Sequence, residues 1–235
     1  MSQIRAILWD IDGTLMDFAL AERNALQQTF QEFGLPAYSE ELRQEYSLIN
    51  KRYWTAMELG KITKPQVLVG RFQELFEIYG IDIALAEEFN TVFQLHIGDE
   101  VHFFPNAMEL VQDFKSRGYL QCAVTNGTKL AQDRKLVKSG LNRILDYVFI
   151  SEDVGFEKPS ADFFRTVFRS IGHYQPDEAI IVGDSLTSDI QGGKNAGIRT
   201  CWFNPQGMVQ NLDIQPDFEI RKLAELKRIL RPAGA

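Results

Sequence analysis

The chain has 235 residues, 45% hydrophobic and 24% charged, which suits a globular fold with a substantial core and excludes wholesale disorder. Its formal charge of −7 argues against nucleic acid polymers or an anionic membrane as main partner, because phosphate-rich surfaces call for a basic face. No apolar run approaches membrane-spanning length and no basic segment leads into one near the start, so the expectation is a soluble, cytoplasmic protein.

The first predicted element is a short buried strand over residues 4–9, within a stretch that continues as ILWDIDGTLMDF (7–18). Asp10 and Asp12 stand where that strand should end. Side chains two apart in extended backbone point the same way, so the pair would crowd like charges on one side. A divalent cation, an anionic substrate that arrives with one, or both, would hold them there.

Residues 17–98 then carry only helical patterns. Leu26, Phe30 and Phe33 form a stripe before Gly34. Leu42, Tyr46, Ile49, Tyr53 and Met57 follow helical spacing after a candidate N-cap at Ser39 and before a stop at Gly60. Leu75, Phe76 and Tyr79 follow Thr63 and Pro65, and Phe89, Val92 and Phe93 make a fourth helical patch. This segment is expected to be an inserted all-α cap seated over the ligand edge of a sheet.

From residue 99 onward, strand patterns at 120–125, 147–150, 179–183 and 199–203 alternate with helical ones at 105–114, 128–139, 163–171 and 186–196. With the first strand, they predict an α/β core over 1–16 and 99–235. It should be a doubly wound parallel sheet that binds ligands beyond the carboxyl ends of its strands. Cys122 and Cys201 fall in apolar runs and read as buried free thiols. The basic tail RKLAELKRILR places Leu223, Leu226 and Leu230 at helical spacing, as in a docked terminal helix with a solvated face. His96, His102 and His173 show no metal-ligand spacing.

Four short motifs stand at strand ends in order: DIDGT at 10–14, VTNG at 124–127, EKP at 157–159 and GDSLTSD at 183–189. On residues alone, Asp184 reads equally as a helix N-cap, Lys158 as a surface charge, and Asn126–Gly127 as a turn. Together the motifs resemble the haloacid-dehalogenase-like phosphatase superfamily, whose members hydrolyse phosphate esters through an aspartyl-phosphate intermediate, and the helical insertion matches its first cap class.

The resemblance implies that Asp10 is the nucleophile and Asp12 the general acid and later the base. Gly13 lets the chain turn away from the site and Thr14 holds that turn. Magnesium is implied at Asp10, the backbone carbonyl of Asp12 and Asp184, with Asp189 as an outer-shell partner or water-mediated ligand. Lys158 is placed between nucleophile and phosphate, with Pro159 opening the next helix. Thr125, Asn126 and the Gly127 amide are implied as phosphate donors. A carboxylate facing a phosphate dianion meets repulsion of about 4 kcal/mol per charge pair at roughly 4 Å and an effective dielectric near 20, so these positive charges matter.

The cap segments INKRYW (49–54), GKIT (60–63) and GRF (70–72), with TLMDF and ISEDVGFEKP in the core, resemble the pyrimidine 5′-nucleotidase branch of the superfamily. Asn50 offers a donor and an acceptor to a base edge, and Lys51 and Arg71 suit carbonyl or phosphate oxygens, although all three read equally as a solvated surface. The expected partner is a small phosphorylated metabolite, a nucleoside monophosphate. Alternatives are a phosphatase for another metabolite such as a sugar phosphate, a phosphosugar mutase, a haloacid dehalogenase, or a non-enzymatic phosphate-binding module. Asp12 and Asp184 count against the dehalogenase, whose chemistry needs neither metal nor a second aspartate.

Overall fold

The structure, a computed structural model, describes residues 2–35, 38–209 and 213–230. Strand β1 (Ala6–Trp9) is followed by four helices: α1 (Phe18–Glu32), α2 (Glu40–Glu58), α3 (Lys64–Tyr79) and α4 (Ala86–Asp99). Next come α5 (Ala107–Ser116), β2 (Leu120–Thr125), α6 (Lys129–Ser139), β3 (Tyr147–Ile150), α7 (Ser151–Val154) and α8 (Ala161–Ile171). The chain continues through β4 (Ala179–Gly183), α9 (Gln191–Ala196), β5 (Arg199–Phe203), β6 (Phe218–Ile220) and α10 (Leu226–Ile229).

The strands form one parallel sheet in the order β3-β2-β1-β4-β5-β6. Its central strands are mostly apolar because both faces are covered. Alternate residues of β1 feed opposite layers. Ile7 and Trp9 pack with Val111 and Phe114 of α5, whereas Ala6 and Leu8 pack with Phe163, Phe164 and Val167 of α8. The buried polar side chain of Gln121 is satisfied: it accepts from Trp9 Nε1 at 2.9 Å and donates to the Val111 carbonyl at 2.9 Å.

The chain runs outward from β1 to β2 and β3, then crosses to the other side of β1 for β4. The strand order therefore reverses between β1 and β4, and their carboxyl ends flank the crevice where open α/β sheets bind ligands. Asp10 follows β1 and Asp184 follows β4.

The chain divides into two compact units, one of Met1–Phe18, Val101–Lys129 and Leu136–Ala235, the other of Ala19–Glu100 with Leu130–Lys135. The second unit is built on α1 to α4 around aromatic rings. Phe72 lies 5.2 Å from Tyr46 in a stacked pair and meets Phe89 edge-on at 4.9 Å. Each such ring, when fully buried, contributes roughly 1.5–3 kcal/mol by leaving water. Ser39 caps α2 by accepting from Leu42 N at 3.1 Å, and Gly80 ends α3 in the left-handed conformation at φ 64°.

Cys122 and Cys201 are free and buried, as the sequence predicts. The tail forms a short 3₁₀ turn and α10 rather than one continuous helix, with Leu223, Leu226 and Leu230 all buried. Strand β6 has no counterpart among the predicted elements. No helix among the described residues is long and apolar enough to cross a membrane.

Candidate active site

The site begins with a turn. Beyond β1, the amides of Leu15 and Met16 both donate to the Ile11 carbonyl, and Gly13 N donates to Met16 O at 2.8 Å, which folds the chain back on itself. Gly13 makes this possible in two ways. Its φ is +89°, which L side chains rarely adopt, and a Cβ there would lie 2.5 Å from Asp184 Oδ2. The expected turn at Gly13 is therefore also the clearance that admits the Asp184 carboxylate.

Asp10, only 6% exposed, is held on both oxygens. Lys158 Nζ donates to Oδ1 at 2.8 Å, and Thr14 Oγ1 donates to Oδ2 at 3.0 Å. Thr14 thus grips the candidate nucleophile itself. Asp12 is half-buried, two residues on.

Lys158 is 1% exposed, and its ammonium has three acceptors: Asp10 Oδ1, the Val124 carbonyl at 2.7 Å and Asp189 Oδ1 at 2.6 Å. Three donors meet three acceptors, so the group is saturated. Burial alone would lower the lysine pKa, but the carboxylates of Asp10 and Asp189 outweigh it and hold the ammonium above its ordinary value. Pro159, joined to Lys158 by a cis peptide bond, does not open α8; Ser160 caps that helix by accepting from Asp162 N.

The last motif forms a widened π turn over Leu186–Ile190. Ser185, not Asp184, is its N-cap, accepting from Ser188 N at 3.1 Å. The turn brings Asp189 back so that Ser185 N donates to its Oδ2 at 3.1 Å while Lys158 binds Oδ1. Gly183 leaves room for the Asp189 carboxylate, which a Cβ would overlap. Trp202 Nε1 donates to the Asp184 carbonyl at 2.8 Å and fixes the end of β4. Nothing in the sequence marks that tryptophan as more than a strand residue.

Asp10, Asp184 and Asp189 each offer an oxygen within 4.8 Å of the others. With Asp12 two residues from Asp10, carboxylates gather at this strand end, a donor set that suits an oxygen-seeking divalent cation. Burial pushes the Asp10 carboxyl up to about 7, with Asp189 and Asp12 adding to the rise and Lys158 opposing it. All-oxygen donors and excess negative charge both fit magnesium.

The second motif separates into two behaviours. Thr125 Oγ1 accepts from Gly127 N at 3.0 Å, which keeps the hydroxyl hydrogen as a donor and occupies the Gly127 amide. Asn126 binds the backbone of Lys158 in both directions, with Nδ2 donating to its carbonyl at 2.8 Å and Oδ1 accepting from its amide at 2.9 Å.

Of the three predicted cap residues, two meet. Arg71 Nη1 donates to Asn50 Oδ1 at 2.7 Å, and Asn50 Nδ2 donates to Glu22 Oε1 at 2.6 Å. Ser47 also donates to Glu22, and Arg71 Nη2 donates to Asn90 Oδ1 at 3.0 Å. Lys51 is exposed on α2. Glu22 and Asn90 were not among the sequence candidates, because their partners lie on other helices at unrelated spacings.

A family model described as haloacid dehalogenase-like hydrolase matches residues 7–203. The chain is 37% identical to the HAD-hydrolase YfnB of Bacillus subtilis (strain 168), over 98% of this chain and 97% of that protein. A crystal structure of YfnB bound to magnesium superposes with a TM-score of 0.91, covering 98% of this chain and all of that one. The pyrimidine 5′-nucleotidase PynA of Streptococcus pneumoniae (strain ATCC BAA-255 / R6) is 34% identical over 94% of this chain and 92% of its own. A glyceraldehyde 3-phosphate phosphatase of Methanothermobacter thermautotrophicus is 30% identical over 86% and 87%. With the four motifs gathered at the strand ends, these likenesses place the chain in the haloacid dehalogenase-like hydrolase family, as one of its phosphatases.

Proposed function

We propose that this phosphatase is magnesium-dependent and cleaves the 5′-phosphate of pyrimidine nucleoside monophosphates through an aspartyl-phosphate on Asp10. The setting of Asp10 carries the reading: a buried carboxylate, oriented by Lys158 and Thr14, at the edge of an acidic cluster. An Asp10 oxygen attacks phosphorus as the bond to the leaving oxygen breaks, and Asp12 gives that oxygen its proton. Asp12 then takes a proton from water, which attacks the phosphorus of the acyl phosphate, releasing inorganic phosphate and restoring Asp10. Magnesium, held by Asp10, the Asp12 carbonyl and Asp184, with Asp189 behind them, supplies the positive charge that offsets the phosphate dianion. Thr125 donates to a phosphate oxygen.

The nucleotide assignment is supported by PynA and by a second pyrimidine 5′-nucleotidase, YjjG of Escherichia coli (strain K12), 30% identical over 95% of this chain. We assign selectivity to the helical unit through the exposed Lys51, with Asn50 and Arg71, buried and bonded to Glu22 and Asn90, supporting the helix that carries it. The test is a phosphate-release series with magnesium over uridine and thymidine 5′-monophosphates, their purine counterparts, glyceraldehyde 3-phosphate and a hexose phosphate. Pyrimidine nucleotides are expected to lead in kcat/KM, and Lys51→Ala to narrow the lead by about 1–3 kcal/mol if its ammonium bonds the substrate. Equal rates on purines and pyrimidines would remove the nucleotidase reading and leave the phosphatase standing. A lead for glyceraldehyde 3-phosphate would favour the sugar-phosphate relatives instead.

A further inference from the structure

We infer that Asn126 is a positioning residue: its side chain fixes the backbone of Lys158, and through it the ammonium that holds Asp10, instead of binding phosphate itself. The inference rests on the hydrolase reading of the site. A carboxamide that gives Nδ2–H to one residue's carbonyl and takes that residue's N–H on Oδ1 closes a two-bond ring with it, as a neighbouring strand would. The amide cannot be turned over. Exchanging its ends would set Nδ2 against the Lys158 N–H and Oδ1 against the Lys158 carbonyl, repulsive on both sides.

The remaining Nδ2 hydrogen is also engaged, donating to Ser188 Oγ at 3.3 Å. Ser188 immediately precedes Asp189, which is one of the three acceptors of the Lys158 ammonium. Asn126 therefore ties together two segments, around Lys158 and around Asp189, whose charged groups meet beyond it. Strand β2 holds Lys158 at both ends: the Val124 carbonyl takes the ammonium, and Asn126, one residue past the strand, takes the backbone. For Asn126 to donate to phosphate it would have to release a buried carbonyl or the serine. Thr125 beside it is under no such constraint, because accepting from Gly127 leaves its hydroxyl hydrogen available.

A residue that acts by aiming another is detected by non-additivity. In the full-length chain with magnesium, Asn126→Ala is expected to lower kcat about 10- to 100-fold with KM within about threefold, since misplacing a catalytic group by about 1 Å weakens the transition state on that scale. In a Lys158→Ala background the same change should alter kcat, and the Kd of inorganic phosphate measured by calorimetry, by less than about threefold, because no ammonium remains to be aimed. Multiplicative losses, or a tenfold weaker phosphate Kd in both backgrounds, would show a direct phosphate ligand and overturn the inference. So would an unchanged kcat in Asn126→Ala. If the alanine variant does not fold, Asn126→Asp, isosteric and still able to accept from the Lys158 amide, replaces it in the cycle with the same criteria. A wild type that releases no phosphate from any phosphomonoester removes the hydrolase reading and this inference together, whereas multiplicative losses in an active wild type remove only the inference.

Discussion

Two buried charge clusters in this molecule are built on opposite plans. At the sheet edge, Lys158 touches the carboxylates of Asp10 and Asp189 directly, and Asp184 brings a third carboxylate within 4.8 Å of them. In the helical unit, Arg71 and Glu22 do not touch: Asn50 stands between them, receiving from the guanidinium and giving to the carboxylate. The first cluster brings three carboxylates close enough together to hold a cation. The second sets one cation against one anion with an amide polarised between them; the guanidinium lies 4.8 Å from the centre of the Phe72 ring, and its Nε has no hydrogen-bond partner. Unbalanced charge is expected where chemistry happens, and balanced charge where helices are joined.

The sharpest way to break the comparison is to neutralise one member of each cluster. Asp10→Asn should stop phosphate release, by on the order of 10⁴-fold or more in kcat, while unfolding at the same urea concentration as wild type or a higher one. Relieving excess negative charge should not harm the fold. Arg71→Met should do the reverse, lowering unfolding free energy by roughly 3–5 kcal/mol in urea titrations, because it removes the cation near the buried Glu22 carboxylate and the donor to the Asn50 carbonyl oxygen.

Smaller effects sharpen the contrast. Chelation should stop hydrolysis and magnesium restore it, and Asp184→Ala should raise the magnesium needed for half-maximal activity by roughly 10- to 100-fold or more, read from rate against metal concentration. Full activity in chelator would deny that the cluster needs a cation. In the helical unit, burial raises the Glu22 carboxyl above its usual 4.5, outweighing the bonds from Ser47 and Asn50 and the pull of Arg71. A raised folded pKa gives stability that is fully present below the unfolded value and is lost as pH rises through the folded one. Wild type should therefore hold its largest advantage over Glu22→Gln below about pH 4.5 and lose part of it by about pH 7.5, measured by urea unfolding at both.

What the sequence disclosed divides along the same line. Asp10 and Asp12 lie two residues apart at a strand end, so local spacing exposed that acidic pair, whereas Asp184, Asp189 and Lys158 were joined to it only by the resemblance of the four motifs to the superfamily. The saturated ammonium of Lys158 was not legible, because its three acceptors come from three separate segments of the chain. The same holds for Asn50 and Arg71: both were singled out, but their bond spans 21 residues between two helices. Strand β6 escaped notice because it is three residues long, with Phe218 and Glu219 exposed and only Ile220 buried. Its place is set by neighbours such as Asp217, which accepts from both Thr200 N and Thr200 Oγ1, and not by its own pattern.

The π turn over Leu186–Ile190 also bears on how the chain can vary in length. Asp189 N and Ile190 N both donate to the Ser185 carbonyl, so the loop accommodates one residue more than an ordinary helical turn. Deleting any of residues 186–188 would swing Asp189 by about 100° around the turn and take its carboxylate off Lys158. An insertion would do the same in the other direction. Elsewhere surface loops absorb gained or lost residues at little cost. Here the number of residues between Asp184 and Asp189 is itself part of the site, fixed as firmly as the identities of the aspartates at either end.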